Sequence, residues 1–132
     1  MPSTDPHVFK CSIYKVFPLL NKKVEIEIIT NGILLKSHWH KLESIHKNIV
    51  GIKISFDAAS QEIYEKVRVG GDWDTLMKSF DFLKEQGLSS LVNLEFVVQK
   101  KNFRDIPNLI KLIDHYGFKA MLSQLDDWGT WN

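Results

Sequence analysis

Polar and apolar residues alternate along several short stretches of the chain, and stretches with helical spacing separate them. Alternation is typical of β-strands that bury one face, and it is seen over most of VEIEIIT (24–30), IVGIKISF (49–56) and LVNLEFVVQ (91–99). A fourth short strand is predicted at FKAMLSQL (118–125). Between these runs, apolar residues recur every three or four positions, as on the buried side of an amphipathic helix. The alternation of strands and helices predicts an α/β fold with about four parallel strands.

Helix boundaries can be predicted from capping residues. Residues 34–47 form one predicted helix, and 61–67 form a short one before Gly70-Gly71. Asp72 is the predicted N-cap of a third helix, with Gly87 at its end and the apolar stripe Trp73, Leu76, Met77, Phe80 and Leu83. The last predicted helix has Pro107 in its first turn, Gly117 past its end, and the stripe Ile106, Leu109, Ile110 and Ile113.

The parity of the strands indicates how the helices are arranged. A doubly wound sheet is covered on both faces, but these strands have one apolar and one polar face, the latter carrying Glu25, Glu27, Lys53, Ser55, Asp57, Asn93, Glu95 and Gln99. Helices are therefore expected on one face only, with a concave polar surface opposite, as in part of an open barrel. Ligand sites of β/α folds lie at the carboxyl ends of the strands, here Thr30, Asn31, Ser55, Asp57, Gln99, Asn102 and the turn after Leu125.

The length favours a single domain, and the charge and hydropathy argue against nucleic acid and membranes as partners. The 132 residues suit a single domain, with an irregular or helical segment at 1–23, β/α repeats at 24–125 and a tail at 126–132 that contains Trp128 and Trp131. With 17 Lys and Arg against 16 Asp and Glu, the chain has no strong basic field for nucleic acid. No apolar run approaches the ~20 residues of a membrane span, and no signal sequence is evident. A cytoplasmic location is expected.

Metal-binding side chains are sparse in the sequence. Cys11 is the single cysteine, so neither an internal disulfide nor a cysteine-built zinc or iron-sulfur site is expected within one chain. His38 and His40 are two positions apart, which would direct them to different sides of a helix, and they are interpreted as surface residues rather than metal ligands. We therefore predict no metal ligands.

Four segments together resemble the second half of the radical S-adenosylmethionine (radical SAM) domain, over roughly residues 24–129. They are IEIITNGILL, IKISFDAASQEIYEKVRVGG, LEFVVQKKNFRDIPNLIKLIDHYG and LSQLDDWG. The resemblance implies an open (β/α)6 barrel, of which this chain would form part, and a family that uses SAM and a four-iron, four-sulfur cluster. It also implies SAM-binding roles for Ser55 and Asp57, a carboxylate partner in Arg68, and a position near SAM or substrate for Asn31. The alternatives are structural: Asp57 caps a turn with Ser60, Arg68 is solvated, and Asn31-Gly32 simply makes a turn.

Two motifs of that family are missing from the sequence. Neither the CxxxCxxC cluster loop nor the Gly-Gly-Glu turn that grips the SAM amino group is found, and 1–23 looks like the helix after the second barrel strand. We therefore expect a fragment or degenerate homologue, with no catalytic residues and no cofactor of its own, that does not generate the 5′-deoxyadenosyl radical alone. The alternative is a binding or assembly module in which a partner or a second copy covers the strand edge at 24–30.

Overall fold

Residues 24–124 are described by the structure, a computed structural model, and their four strands form one parallel sheet. The segment 1–23 with Cys11 and the tail 125–132 with both terminal tryptophans lie outside the described residues, so the predictions made for them stay predictions. The strands are β1 (Ile26–Thr30), β2 (Ile49–Ser55), β3 (Val92–Val98) and β4 (Lys119–Gln124). The predicted α/β class with parallel strands is confirmed.

The strands pair in the order in which they occur along the chain, β1-β2-β3-β4. A doubly wound sheet needs a point at which the strand order reverses, and this sheet has none among the described strands. One irregularity occurs between β1 and β2, where Ile26 pairs with Ile49 and Glu27 pairs with Gly51, so Val50 forms a bulge. The sequential order matches part of a (β/α) barrel.

The helices are α1 (Leu35–His38), α2 (Gln61–Val67), α3 (Trp73–Glu85) and α4 (Ile106–Tyr116). Asp72 caps α3 as predicted, because its carboxylate accepts a hydrogen bond from the backbone N–H of Thr75 at 3.1 Å. Hydrogen bonds from the side chain and the backbone of Thr75 lower the pKa of Asp72. Gly117 follows α4 with a φ of 72°, the left-handed conformation that suits glycine. No helix in 24–124 is long and apolar enough to cross a bilayer.

The helix predicted over 34–47 is mostly a 3₁₀-helix. It begins as α1 and continues as a 3₁₀-helix over Trp39–Asn48. A 3₁₀-helix has three residues per turn, so residues three apart share one face, and the inward-facing residues here have that spacing: Trp39, Leu42, Ile45 and Asn48. His46 stacks on Trp39 with ring centroids 4.5 Å apart. The 3₁₀-helix thus turns one face towards the hydrophobic core.

The core lies between the helices and one face of the sheet. The apolar positions at 0% exposure come from β2, β3, α3 and the residue after β2, and they are Ile52, Ile54, Phe56, Leu76, Phe80, Leu83, Val92, Leu94 and Phe96. Trp73 and Met77 of the α3 stripe are partly buried against this core. Lys53, Ser55, Asn93 and Glu95 lie on the opposite face and are only half-buried, as strand parity predicts. One stripe residue was assigned wrongly: Ile110 is 52% exposed, because α4 turns Leu109 and Tyr116 into the core instead.

Candidate functional site

Asp57 lies where β2 ends, and its side chain is tied to the next strand. The β2-β3 pairing ends at Ser55 and Glu95, after which the Phe56 N–H donates to Glu95 O at 2.9 Å. The next donor, the N–H of Val97, bonds to Oδ1 of Asp57 at 2.8 Å. The Asp57 carboxylate therefore extends the hydrogen-bond ladder between β2 and β3 by one hydrogen bond. Asp57 adopts a φ of 51°, and it is the one described residue other than glycine with a positive φ.

Arg68 follows α2 and faces the same carboxylate. Its NH2 atom lies 3.6 Å from Oδ2 of Asp57, and the two side chains are 29% and 22% exposed. The Nε atom of Arg68 is buried and has no hydrogen-bond partner among the described residues. An Nε–H donor taken out of water without an acceptor is costly. The guanidinium thus retains a donor without an acceptor, and a carboxylate is the kind of acceptor that suits a guanidinium best.

A cavity of about 450 Å³ lies beside Arg68, between the end of β1 and the loop before α3. Among its lining residues are Asn31, Tyr64, Gly71 and Asp72, whereas Ser55 does not line it. Burial raises the pKa of Tyr64, against the opposing effect of the Arg68 charge. The cavity thus has both a phenol and a guanidinium in its lining.

Asn31 forms the turn that closes β1. Its Oδ1 accepts a hydrogen bond from the backbone N–H of Ile33 at 3.1 Å, so the structure gives this exposed side chain a turn-forming role. Gly32 has a φ of 87°, and a Cβ atom there would lie 2.7 Å from Leu76 Cδ1. The Asn31-Gly32 pair is thus explained by chain geometry, and a ligand role for Asn31 stays a prediction.

Ser55 lies on the polar sheet face beside a row of charges. Lys53 Nζ is 3.3 Å from Glu27 Oε1 on β1 and 3.8 Å from Glu95 Oε1 on β3. The side-chain oxygen of Asn93, the neighbour of Lys53 on β3, is buried without a hydrogen-bond partner among the described residues. The structure does not bring Ser55 to the 450 Å³ cavity, so its predicted SAM contact would come from the sheet face.

Asn102 and Asp105 are buried residues that bond to the loop after β2. Asn102, predicted as a polar residue at the strand ends, is 1% exposed and bonds only to backbone atoms of its surroundings. Asp105, which the sequence reading missed, is 4% exposed and accepts a hydrogen bond from the N–H of Ala59. The signal for Asp105 was an acid directly before Ile106-Pro107, a helix N-terminus pattern.

A larger cavity of about 830 Å³ lies at the carboxyl ends of β3 and β4. Its lining combines apolar groups with cationic and polar ones, and includes Val98, Gln99, Lys100, Lys101, Phe103 and Ser123. The guanidinium carbon of Arg104 lies 5.4 Å from the centre of the Phe103 ring. Three cations and an aromatic ring therefore occur together in this part of the molecule.

A metal centre is not supported by the side chains in 24–124. No group of three or more His, Cys, Asp and Glu residues is close enough to hold an ion in that part of the chain. His38 Nδ1 lies 2.8 Å from Ser37 Oγ. The single cysteine of the sequence can give one thiolate, whereas a four-iron, four-sulfur cluster takes three or four. The residues present do not fit such a cluster.

Comparison with known proteins gave one family and two curated relatives. The sequence model of the radical SAM superfamily matches residues 3–113, so the match starts earlier than the resemblance at 24–129. A probable GTP 3′,8-cyclase of Methanococcus maripaludis is 28% identical over 86 residues, which is 65% of this chain and 28% of the relative. A probable GTP 3′,8-cyclase of Methanocaldococcus jannaschii is 27% identical over 93 residues, 70% of this chain and 30% of the relative. The aligned part thus covers less than a third of either relative.

Proposed function

The chain belongs to the radical SAM superfamily, and on that premise we propose that the carboxyl ends of β1 and β2 bind S-adenosylmethionine. The observation that carries the proposal is the buried, unpartnered Nε of Arg68, next to a cavity of about 450 Å³. A guanidinium with a free donor in its fork suits the carboxylate of the methionine group. Arg68 is 3.6 Å from Asp57, which leaves room for a second anion to share the charge.

The proposed roles differ from residue to residue. Arg68 binds the methionine carboxylate, and Asp57 holds the guanidinium in place from its other side. Ser55 offers a hydroxyl from the polar sheet face for the ribose, and Asn31 lines the cavity. In the family, SAM supplies the 5′-deoxyadenosyl group when it is cleaved by a reduced cluster. The residues of this chain bind and orient it.

We also infer that these 132 residues do not generate the radical alone, since one thiolate does not replace three. This is the sense in which the chain acts as a fragment or degenerate homologue. SAM affinity is then expected on the order of millimolar, because no metal anchors the methionine group and the remaining hydrogen bonds must offset the entropy of association.

A second candidate ligand is a purine nucleoside triphosphate. The two curated relatives carry the printed name GTP 3′,8-cyclase. The 830 Å³ cavity of this chain joins Phe103, which a base can stack on, to Lys100 and Lys101, which attract phosphates. Titration with GTP at two salt concentrations would test it: binding should weaken with salt and with a Lys100→Ala, Lys101→Ala double substitution. Equal affinity for the substituted chain would remove this candidate.

SAM binding can be tested by NMR titration of the isotope-labelled chain, which detects millimolar affinities. We expect the Arg68 Nε–H signal to shift on addition of SAM, and Arg68→Ala to lower affinity about tenfold or more. Arg104→Ala is the matched control, because Arg104 lies next to Phe103, which lines the other cavity. Absence of any shift at SAM concentrations of about 10 mM, or equal affinity in Arg68→Ala, would overturn the proposal.

A further inference from the structure

Asn102 is almost completely buried, and its amide group makes three hydrogen bonds. Its Nδ2 donates to Asp57 O at 3.1 Å and to Val97 O at 2.8 Å, and its Oδ1 accepts from the N–H of Gln99 at 2.8 Å. The side chain is 1% exposed. One amide thus connects the end of β2, the end of β3 and the turn that follows β3. All of its acceptors and donors are backbone groups, so it acts on chain geometry.

The residue held most directly is Asp57, whose backbone is in an unfavourable conformation. Its φ of 51° is in the left-handed region, where a residue with a Cβ loses about 1 kcal/mol or more. Such a conformation persists only where neighbouring contacts enforce it. The carbonyl of Asp57 is fixed by Asn102, and its carboxylate is fixed by the N–H of Val97.

A second buried residue holds the same loop two positions further along. The N–H of Ala59 donates to Asp105 Oδ2, and Asp105 Oδ1 accepts from Asn108 Nδ2 at 2.8 Å. The loop 57–60, which leads into α2, is therefore held at two points by the segment that leads into α4. Since α2 ends at Val67, directly before Arg68, the same two hydrogen bonds also help to fix the backbone position of Arg68.

We propose that Asn102 is a positioning residue: it fixes the left-handed conformation of Asp57 and thereby the direction of the carboxylate that holds Arg68. The role rests on the proposed SAM site, because Arg68 is the group that would meet the methionine carboxylate. Asn102 itself does not touch the ligand. Without its amide, Asp57 can relax to a negative φ, and Oδ2 then turns away from the guanidinium.

The alternative is that Asn102 only stabilises the fold, and a matched variant separates the two. Asn48 is also a buried asparagine, 6% exposed, and its Nδ2 donates to a backbone carbonyl, Val24 O, at 2.7 Å. Asn48→Ala should lower the free energy of unfolding without changing the conformation of Asp57. Asn102→Ala should lower it as well, and should also change the environment of Arg68.

The experiment follows the Arg68 Nε–H signal, its hydrogen exchange and SAM titration by NMR in the full chain. For Asn102→Ala we expect a shifted Nε–H signal, about tenfold faster exchange and about tenfold weaker SAM binding, whereas Asn48→Ala keeps the original values. The proposal is overturned if Asn102→Ala keeps them too, or if Asn48→Ala changes them equally.

If the unaltered chain does not bind SAM, the proposed function fails, and the Arg68 signal still decides the role of Asn102. If Asn102→Ala does not fold, the unaltered chain is used to measure the scalar coupling across the hydrogen bond from Asn102 Nδ2 to the Asp57 carbonyl. Detection of that coupling supports the proposal, and its absence overturns it.

Discussion

The carboxylate of Asp57 accepts a hydrogen bond from the backbone N–H of Val97, which lies 40 positions later in the chain, at 2.8 Å. This bond gives Asp57 a structural task in addition to its ion pair with Arg68. The two tasks use different oxygen atoms, Oδ1 for the N–H and Oδ2 for the guanidinium. They can therefore be separated by substitution.

Asp57→Asn should keep most of the stability of the fold, and Asp57→Ala should lose more of it. Asparagine keeps an Oδ1 acceptor and tolerates a left-handed backbone, so we expect a loss below about 1 kcal/mol in the free energy of unfolding. Alanine leaves the Val97 N–H without an acceptor and still has to adopt the φ of 51° at position 57. The free energy of unfolding should therefore fall by about 2–3 kcal/mol. Urea denaturation measures both, and equal losses would contradict this division of tasks.

Tyr116 should make stability fall at high pH. Burial and the hydrogen bond to Asp81, 2.8 Å long, raise the pKa of Tyr116 to about 12 from an unfolded value of 10.0. A raised folded pKa stabilises the protonated form, so this contribution is complete below pH 10 and is lost between pH 10 and about 12. Lysines also titrate there, so the contribution is the difference between the original chain and Tyr116→Phe.

That difference can be measured by chemical denaturation at pH 8 to 12, in steps across the range of the two pKa values. Ultraviolet titration of the phenolate gives a second reading, because Tyr116→Phe should remove an absorbance step near pH 12. A pH-independent difference between the two proteins would show that Tyr116 is not shielded as described.

Gly32→Ala should cost more than Gly87→Ala. Both glycines have a positive φ, 87° and 71°, so both substitutions carry the left-handed strain of about 1 kcal/mol. At Gly32 the new methyl group would also lie 2.7 Å from Leu76 Cδ1, whereas nothing lies within 4 Å of it at Gly87. We expect an additional loss of about 1–3 kcal/mol at Gly32. Thermal or urea denaturation of both variants checks the order, and equal losses would be evidence against the close contact with α3.

The outer edge of β1 is expected to take part in self-association. In the described sheet β1 pairs only with β2, and Ile29 is 69% exposed. An unpaired strand edge with apolar side chains is a template for another strand. Light scattering at micromolar concentrations should detect a dimer or larger species, and Ile29→Lys should shift it towards monomer. Val69→Lys is the control, since Val69 is 96% exposed and lies in the loop between α2 and α3, not in a strand. A strict monomer over this range would contradict the prediction.

Local sequence rules predicted β1, β2 and β3 because each of them buries one face more than the other. Alternation gave β2 within one residue, and Asp72 and Pro107 marked their helix starts. The 3₁₀ form of Trp39–Asn48 was not predicted, because a stripe of apolar residues three or four apart suits both kinds of helix. Ile110 was placed in the core by the same spacing, and only packing of α4 on the sheet shows which side is buried.

The candidate site was predictable as a region and not as a set of contacts. Strand ends bring Asp57 and Arg68 into one neighbourhood, and their ion pair is seen at 3.6 Å. Asn102 was counted as a polar group at the same strand ends, but it is buried beneath them. Its partners are Asp57 and Val97, which are distant in sequence, so no local pattern distinguishes such an anchor from a ligand-binding residue.

The sequential order of the sheet has a consequence for how the protein is made. Strands that are neighbours in the described sheet are also consecutive in the chain, and none of these strands pairs with one that is more distant in sequence. During translation, β2 can pair with β1 as soon as α1 and the 3₁₀-helix have formed, and β3 and β4 can follow as they leave the ribosome. Domains with mostly local pairings fold faster than those that await distant segments. Assembly of this sheet can therefore proceed in the direction of synthesis, one β–α unit at a time.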